Sequence, residues 1–179
     1  MNHFTHLIVA AAAAIAVIAP VGAMTSAEYK AARERADTQY KTEVERCKPL
    51  GGNKRDVCIK DAKAARDKAK ADARAEYKNT SRARAEAVED TAEARYRAAK
   101  ERCDALSGNA KDVCIERAKA DKERAEATAT ERRRVAEAHT KADREKRDAE
   151  YRVAREKCDD LSGDAKERCV EEARVRFGK

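Results

Sequence analysis

Three stretches of this chain superimpose without a gap: Cys47-Lys-Pro-Leu-Gly-Gly-Asn-Lys-Arg-Asp-Val-Cys58, Cys103-Asp-Ala-Leu-Ser-Gly-Asn-Ala-Lys-Asp-Val-Cys114 and Cys158-Asp-Asp-Leu-Ser-Gly-Asp-Ala-Lys-Glu-Arg-Cys169. The paired cysteines are always 11 apart, and the stretch recurs at an almost constant step, from Cys47 to Cys103 to Cys158. A Tyr stands seven positions before each first Cys (Tyr40, Tyr96, Tyr151), and a β-branched aliphatic follows each second one (Ile59, Ile115, Val170). Such a fixed internal period marks a repeat architecture, so one local structure has to serve the chain three times.

That local structure reads as a helical reversal. Gly52, Gly108 and Gly163 each follow an apolar-periodic run, where a helix ends by placing a residue in the left-handed region that Gly enters cheaply. Asn53, Asn109 and Asp164 come next, each with an acid three residues on (Asp56, Asp112, Glu167), which approximates a capping box opening a new helix. The two thiols then lie about one turn to either side of the break and face each other. Three intrachain disulfides are expected: Cys47 with Cys58, Cys103 with Cys114 and Cys158 with Cys169. Each closes a loop of about 12 residues, for which chain entropy gives roughly 2.8 kcal/mol of stabilisation. Zinc ligands sit two to four residues apart and redox thiols pair as Cys-x-x-Cys; neither spacing occurs here, so the chain is read as carrying no metal and no cofactor.

Composition says how much these staples matter. Between Met24 and Lys179, Leu, Ile, Val and Phe together occur only 14 times, against 32 Ala. So few large aliphatics would suggest disorder. Against that, Ala, Arg, Lys and Glu are the strongest helix formers, and a net charge of +7 is small beside 41 basic and 34 acidic groups. The expected fold is all-α: antiparallel helical hairpins in a coiled-coil-like zigzag, packed through Ala over residues 24–179, with stapled turns at 47–58, 103–114 and 158–169. Residues 54–107 and 109–162 contain neither Gly nor Pro. Helical stripes run Cys58, Ala62, Ala65, Ala69, Ala73 and Ala85, Val88, Ala92, Tyr96, Ala99, Cys103, Leu106. The Tyr side chains fall on such stripes and read as packing anchors for Ala-rich partners. Unbroken, each long helix would span about 78 Å. The weak points are Asn79-Thr80-Ser81 and the Thr-containing stretch from Thr128 to Thr130; breaks at both would give a compact bundle instead.

Residues 1–23 differ in kind. Residues 7–19 are an unbroken apolar run, and Pro20-Val21-Gly22-Ala23 puts small residues at the minus-three and minus-one positions of a cut after Ala23, the pattern of a secretory signal peptide. The leading segment lacks Lys and Arg and holds only His3, His6 and the terminal amine. The competing reading is an uncleaved anchor, but the apolar run from Leu7 to Val21 makes about 22 Å of helix against roughly 30 Å of bilayer core. No stable transmembrane anchor is therefore expected, and export to an oxidising compartment agrees with the cysteine pattern.

Catalytic chemistry finds no foothold. His139, the one histidine of residues 24–179, lies in a charged stretch without a nucleophile pattern around it. Carboxylates alternate with bases, as in Asp143-Arg144-Glu145-Lys146-Arg147-Asp148, which is how a solvated helix face reads. Arg132-Arg133-Arg134 is the densest basic patch in a chain of pI near 9.1, yet Glu131 and Glu137 flank it, and export removes nucleic acid as a partner. Anionic envelope polymers remain as ligands for it, and the Ala stripes serve pairing within one chain or between chains.

The stretch Lys60-Asp-Ala-Lys-Ala-Ala-Arg-Asp-Lys-Ala-Lys-Ala-Asp-Ala-Arg-Ala-Glu76 resembles the long Ala/Lys-rich helical stalk of TolA. The Cys-x-x-Leu-x-Gly turn with its upstream Tyr is similar to exported proteobacterial helical proteins called TolA-like, over about residues 40–173. The resemblance implies a periplasmic helical protein. Together these readings lead to a non-enzymatic periplasmic scaffold, spacer or interaction protein of the cell envelope, partnered by envelope proteins. The alternative is a stress or sequestration protein that binds anionic ligands or unfolded clients.

Overall fold

The computed structural model describes residues 24–179; the leader expected over residues 1–23, with its cut after Ala23, lies outside them. The described residues form five α-helices: α1 (Ser26–Cys47), α2 (Gly52–Lys78), α3 (Ser81–Cys103), α4 (Gly108–Lys157) and α5 (Gly163–Phe177), with a single 3-10 turn at Cys158–Asp160. The all-α expectation is met. Helix α1 opens on a full capping box: Thr25 Oγ1 accepts from the Glu28 N–H (3.2 Å), and Glu28 Oε2 accepts from the Thr25 N–H (2.7 Å). That backbone bond, with help from the Thr25 hydroxyl, holds the Glu28 carboxyl below its ordinary pKa.

All three staples form as expected, each with a Cα separation of 5.7 Å. The reversal around them differs from expectation in one respect. Gly52, Gly108 and Gly163 are left-handed, but each begins the following helix instead of closing the preceding one. Gly51, Ser107 and Ser162 precede them in extended conformation, and no side chain caps α2, α4 or α5. The capping boxes expected at Asn53, Asn109 and Asp164 are therefore corrected: by the time the chain reaches them the left-handed Gly has already set the helix direction. Asn53 Nδ2 instead donates to the Glu101 carbonyl near the end of α3, at 2.8 Å. The turn is closed by the Leu of the motif, whose N–H donates to the first cysteine's carbonyl in every copy: Leu50 to Cys47 (3.1 Å), Leu106 to Cys103 (3.0 Å) and Leu161 to Cys158 (3.1 Å).

Among the described residues each helix packs only against its neighbours in sequence, so α1, α2, α3 and the first half of α4 form one layer. With nothing above or below, a layer of helices has to bury two opposite faces of each inner member, and only small side chains let backbones approach from both sides. Every buried residue among those described is accordingly an Ala or a half-cystine. On α3, Ala83, Ala87, Ala94 and Ala98 lie on one side, where Ala87 clusters with Ala71 and Ala75 of α2. Ala85, Ala92 and the disulfide-bonded Cys103 lie on the other, toward α4. Arg74 with Asp90, Arg102 with Asp61, and Lys60 with Glu101 at 3.8 Å tie α2 to α3.

The two weak points behave differently. At the first, Asn79 is left-handed (φ 47°) and ends α2, and Thr80 caps α3 by accepting from the Ala83 N–H at 3.0 Å. At the second, the helix runs on. Thr128 Oγ1 donates to the Arg124 carbonyl at 2.9 Å, so its hydroxyl is satisfied inside the helix and does not compete with it. Helix α4 thus continues for 50 residues, about 75 Å. It leaves the layer, and α5 folds back on its far end.

Candidate functional site

The repeat defines a surface feature that recurs with the hairpins. Between α1 and α2 an open groove of about 530 Å³ is lined by Ala36, Tyr40, Ala62, Ala65, Arg66 and Ala69. The same positions in the next repeat, with Ala92, Tyr96, Ala118, Lys122 and Ala125, line a groove of about 720 Å³ over α3 and α4, which Lys68 and Asp72 of α2 also border. A third, of about 690 Å³, runs between α4 and α5 past Val153, Ala154, Ala173 and Phe177.

The repeat Tyr sits at each groove with a partner on the opposite helix. The Arg66 guanidinium lies 4.5 Å from the Tyr40 ring centroid, and the Lys122 ammonium lies 5.4 Å from that of Tyr96. In the third copy the equivalent position holds Phe177, tilted against Tyr151 with ring centroids 6.3 Å apart. Lys122 also donates to Glu93 at 2.9 Å; this bond raises the pKa of Lys122 and, with another from Arg97, holds the Glu93 carboxyl below its ordinary pKa. All five Tyr were expected to be packing anchors for Ala-rich partners; Tyr40, Tyr96 and Tyr151 are half-buried at the grooves, whereas Tyr29 and an exposed Tyr77 stack on each other with ring centroids 4.8 Å apart. The cationic partners of Tyr40 and Tyr96 on the facing helix were missed, although the step from Tyr40 to Arg66 equals that from Tyr96 to Lys122 and the recurrence was there to be read.

A second recurrence crosses the turns. Lys111 bonds Asp104 and Lys166 bonds Asp159, each at 2.8 Å, and each Lys lowers the pKa of its Asp. In the first turn these positions hold Lys48 and Arg55, which cannot pair, and Lys48 turns to Glu45 at 2.5 Å instead. Leu50, Leu106 and Leu161 project from the three turn tips, 40–45% exposed.

Cys47, Cys103 and Cys158 are fully buried in their bonds, while Cys58, Cys114 and Cys169 are half-buried. No cysteine is free among the described residues. Three formed disulfides are those of a protein that matures in an oxidising compartment. His139 is exposed on α4, and Arg132 and Arg134 are exposed beside a half-buried Arg133, so none of these sequence candidates is drawn into a cluster. Among the described residues no His, Cys, Asp or Glu grouping could hold a metal ion, and no helix is long and apolar enough to cross a membrane.

The most distinctive surface is the far half of α4. From Glu131 to Lys157 not one residue is buried, whereas α3 alone buries seven. Compared with known proteins, the chain matches no family model, no curated protein and no solved structure.

Proposed function

We propose that this protein is a non-enzymatic helical spacer and interaction scaffold of the cell envelope, working in the periplasm. The observation that carries the reading is α4: one continuous helix of 50 residues joins a stapled helical layer to a stapled distal hairpin, and among the described residues nothing covers its middle. A helix of that length holds two units tens of ångströms apart, and recurring shallow grooves with exposed Leu tips give each unit a surface to present. The disulfides keep each hairpin closed where a core of Ala alone gives little cohesion. The resemblance to TolA-like helical proteins points the same way.

In-cell photo-crosslinking tests it, with a photoreactive residue at His139, at Leu106 or, as control, at buried Ala94. The reading expects discrete adducts with envelope proteins from the first two positions and none from the third. Adducts spread over many denatured clients, or confined to anionic polymer and lost in salt, would favour the sequestration reading. That second reading draws on Arg132, Arg133 and Arg134, none of which is in an ion pair among the described residues.

A further inference from the structure

The repeat allows one half of the molecule to be read against the other. Shifting α2 by 56 (Cys58 to Cys114) lays it on the first half of α4, and shifting α3 by 55 (Cys103 to Cys158) lays it on the second half. The side of α3 that packs on α2, formed by Ala83, Ala87, Ala94 and Ala98, then corresponds to Ala138, Ala142, Ala149 and Val153. The first four are 1–8% exposed, whereas Val153 is 57% exposed, Ala138 and Ala149 are open to solvent and Ala142 is half-buried; Ala149 and Val153 also edge the groove that α5 shares with α4. Charges follow the same correspondence. Asp90, Glu101 and Arg102, which meet α2, become Glu145, Glu156 and Lys157, with every sign kept.

The other half of the joint is not kept. Lys60, Asp61 and Arg74 of α2 become Glu116, Arg117 and Thr130. Folding α4 back on itself would therefore set Glu116 against Glu156 and Arg117 against Lys157. The turn Lys78-Asn79-Thr80-Ser81 has also given way, one residue shorter, to the helical Arg134-Val135-Ala136. Helix α4 thus carries an α3-type docking face, with Val153 in place of Ala98, and among the described residues it has lost its own means of covering that face.

We infer that the second half of α4 docks a helix of the α2 kind supplied by another chain. The occupant is Ala-faced and antiparallel to α4. It carries a Lys-Asp pair toward the stapled turn, and an Arg as far beyond that Asp as Arg74 stands beyond Asp61 in α2. Two independent features define it: the covered counterpart of the same face within this molecule, and the retained charge pattern. The inference deepens the scaffold reading and rests on it by naming the kind of partner.

The test titrates a labelled peptide of residues 52–78, with Ser in place of Cys58, against the purified, oxidised chain. Saturable binding is expected. It should be abolished by Ala149→Glu and weakened about tenfold or more by Lys157→Asp. A peptide carrying Asp61→Lys should restore binding to the Lys157→Asp chain, a rescue that misfolding cannot imitate; circular dichroism checks that both variants stay helical. Absence of saturable binding, or binding indifferent to both substitutions, would overturn the inference. So would a concentration-dependent dimer that Ala149→Glu abolishes while the peptide fails to bind, since the face would then belong to a second copy. All these readouts use purified protein, so a negative outcome leaves the crosslinking test of the scaffold reading intact.

Discussion

Arg66 on α2 holds its guanidinium 4.5 Å from the centre of the Tyr40 ring on α1, and the neighbouring carboxylate of Asp67 accepts from it at 2.7 Å. This cation–ring pair bridges two helices that are also joined by the stacked Tyr29 and Tyr77 and by the Lys70–Asp37 ion pair, and a cation–ring pair sits at the same place in the first two stapled hairpins. A double-mutant cycle of Arg66→Ala and Tyr40→Leu should give a coupling energy of about 0.5–1 kcal/mol by urea unfolding. Additive effects would mean that the ring merely fills space.

The first turn contains its own control for the left-handed glycine. Gly52 has φ +53° and Gly51 has φ −116°, and a Cβ on either would meet nothing within 4 Å. Gly52→Ala should cost about 1–2 kcal/mol through backbone conformation alone. Gly51→Ala should fall within about 0.5 kcal/mol of the parent. Equal effects would show that crowding, not φ, selects Gly there.

The staples should not be equivalent. Helix α5 has 15 residues and a single buried one, Ala173, while α3 is held on two sides. An isolated helix of that length is marginal in water. Replacing Cys158 and Cys169 by Ser should strip amide-exchange protection from residues 163–177 and leave α1 to α3 protected. Replacing Cys103 and Cys114 should instead lower global stability by about 2–4 kcal/mol. Retained protection of α5 without its bond would show that the bond is dispensable there.

Ionisation should matter only at the extremes of pH. Asp104, Asp159 and Glu93 have folded pKa values lowered by their hydrogen-bonded lysines, so their contribution is present above the unfolded carboxylate range, about pH 4, and is lost as pH falls through the folded values. Lys111 and Lys122 are raised, so theirs is complete below about pH 10 and lost as pH rises through the folded values. Urea midpoints should be level between about pH 5 and 9 and fall below about pH 4. The fall should be small and blunted by salt because these groups face water. A decline between pH 7 and 5 would need a group of another kind.

Much of this was legible in residues. The cysteine spacing and its Gly named the staples, and Asn79-Thr80-Ser81 marked a real reversal, since Asn tolerates the left-handed region and Thr caps a helix. The stripes that were read, Cys58 to Ala73 and Ala85 to Leu106, include the Ala62, Ala69, Ala92 and Ala99 that line the hairpin grooves. The second face of each inner helix, Ala71 and Ala75 against Ala87, escaped notice because a helix rich in Ala on all sides has no single apolar direction. Thr128 misled because a Thr hydroxyl can either break a helix or bond back within it, and only the three-dimensional chain shows which. The Asp104–Lys111 bridge spans a turn, a proximity that helical spacing does not suggest.

One repeat is joined in two ways, folded back at Asn79 and carried straight through at Val135, and everything proposed for α4 depends on that difference. Spin labels introduced as non-cysteine residues at Glu123 and Glu150, both exposed on α4, probe it by pulsed electron paramagnetic resonance on the oxidised protein. A continuous helix sets Glu123 and Glu150 along one axis, so a single distance of about 40 Å is predicted. A distance of about 10–20 Å, that of two antiparallel helices side by side, would show that α4 folds back and leaves no open face to dock a partner.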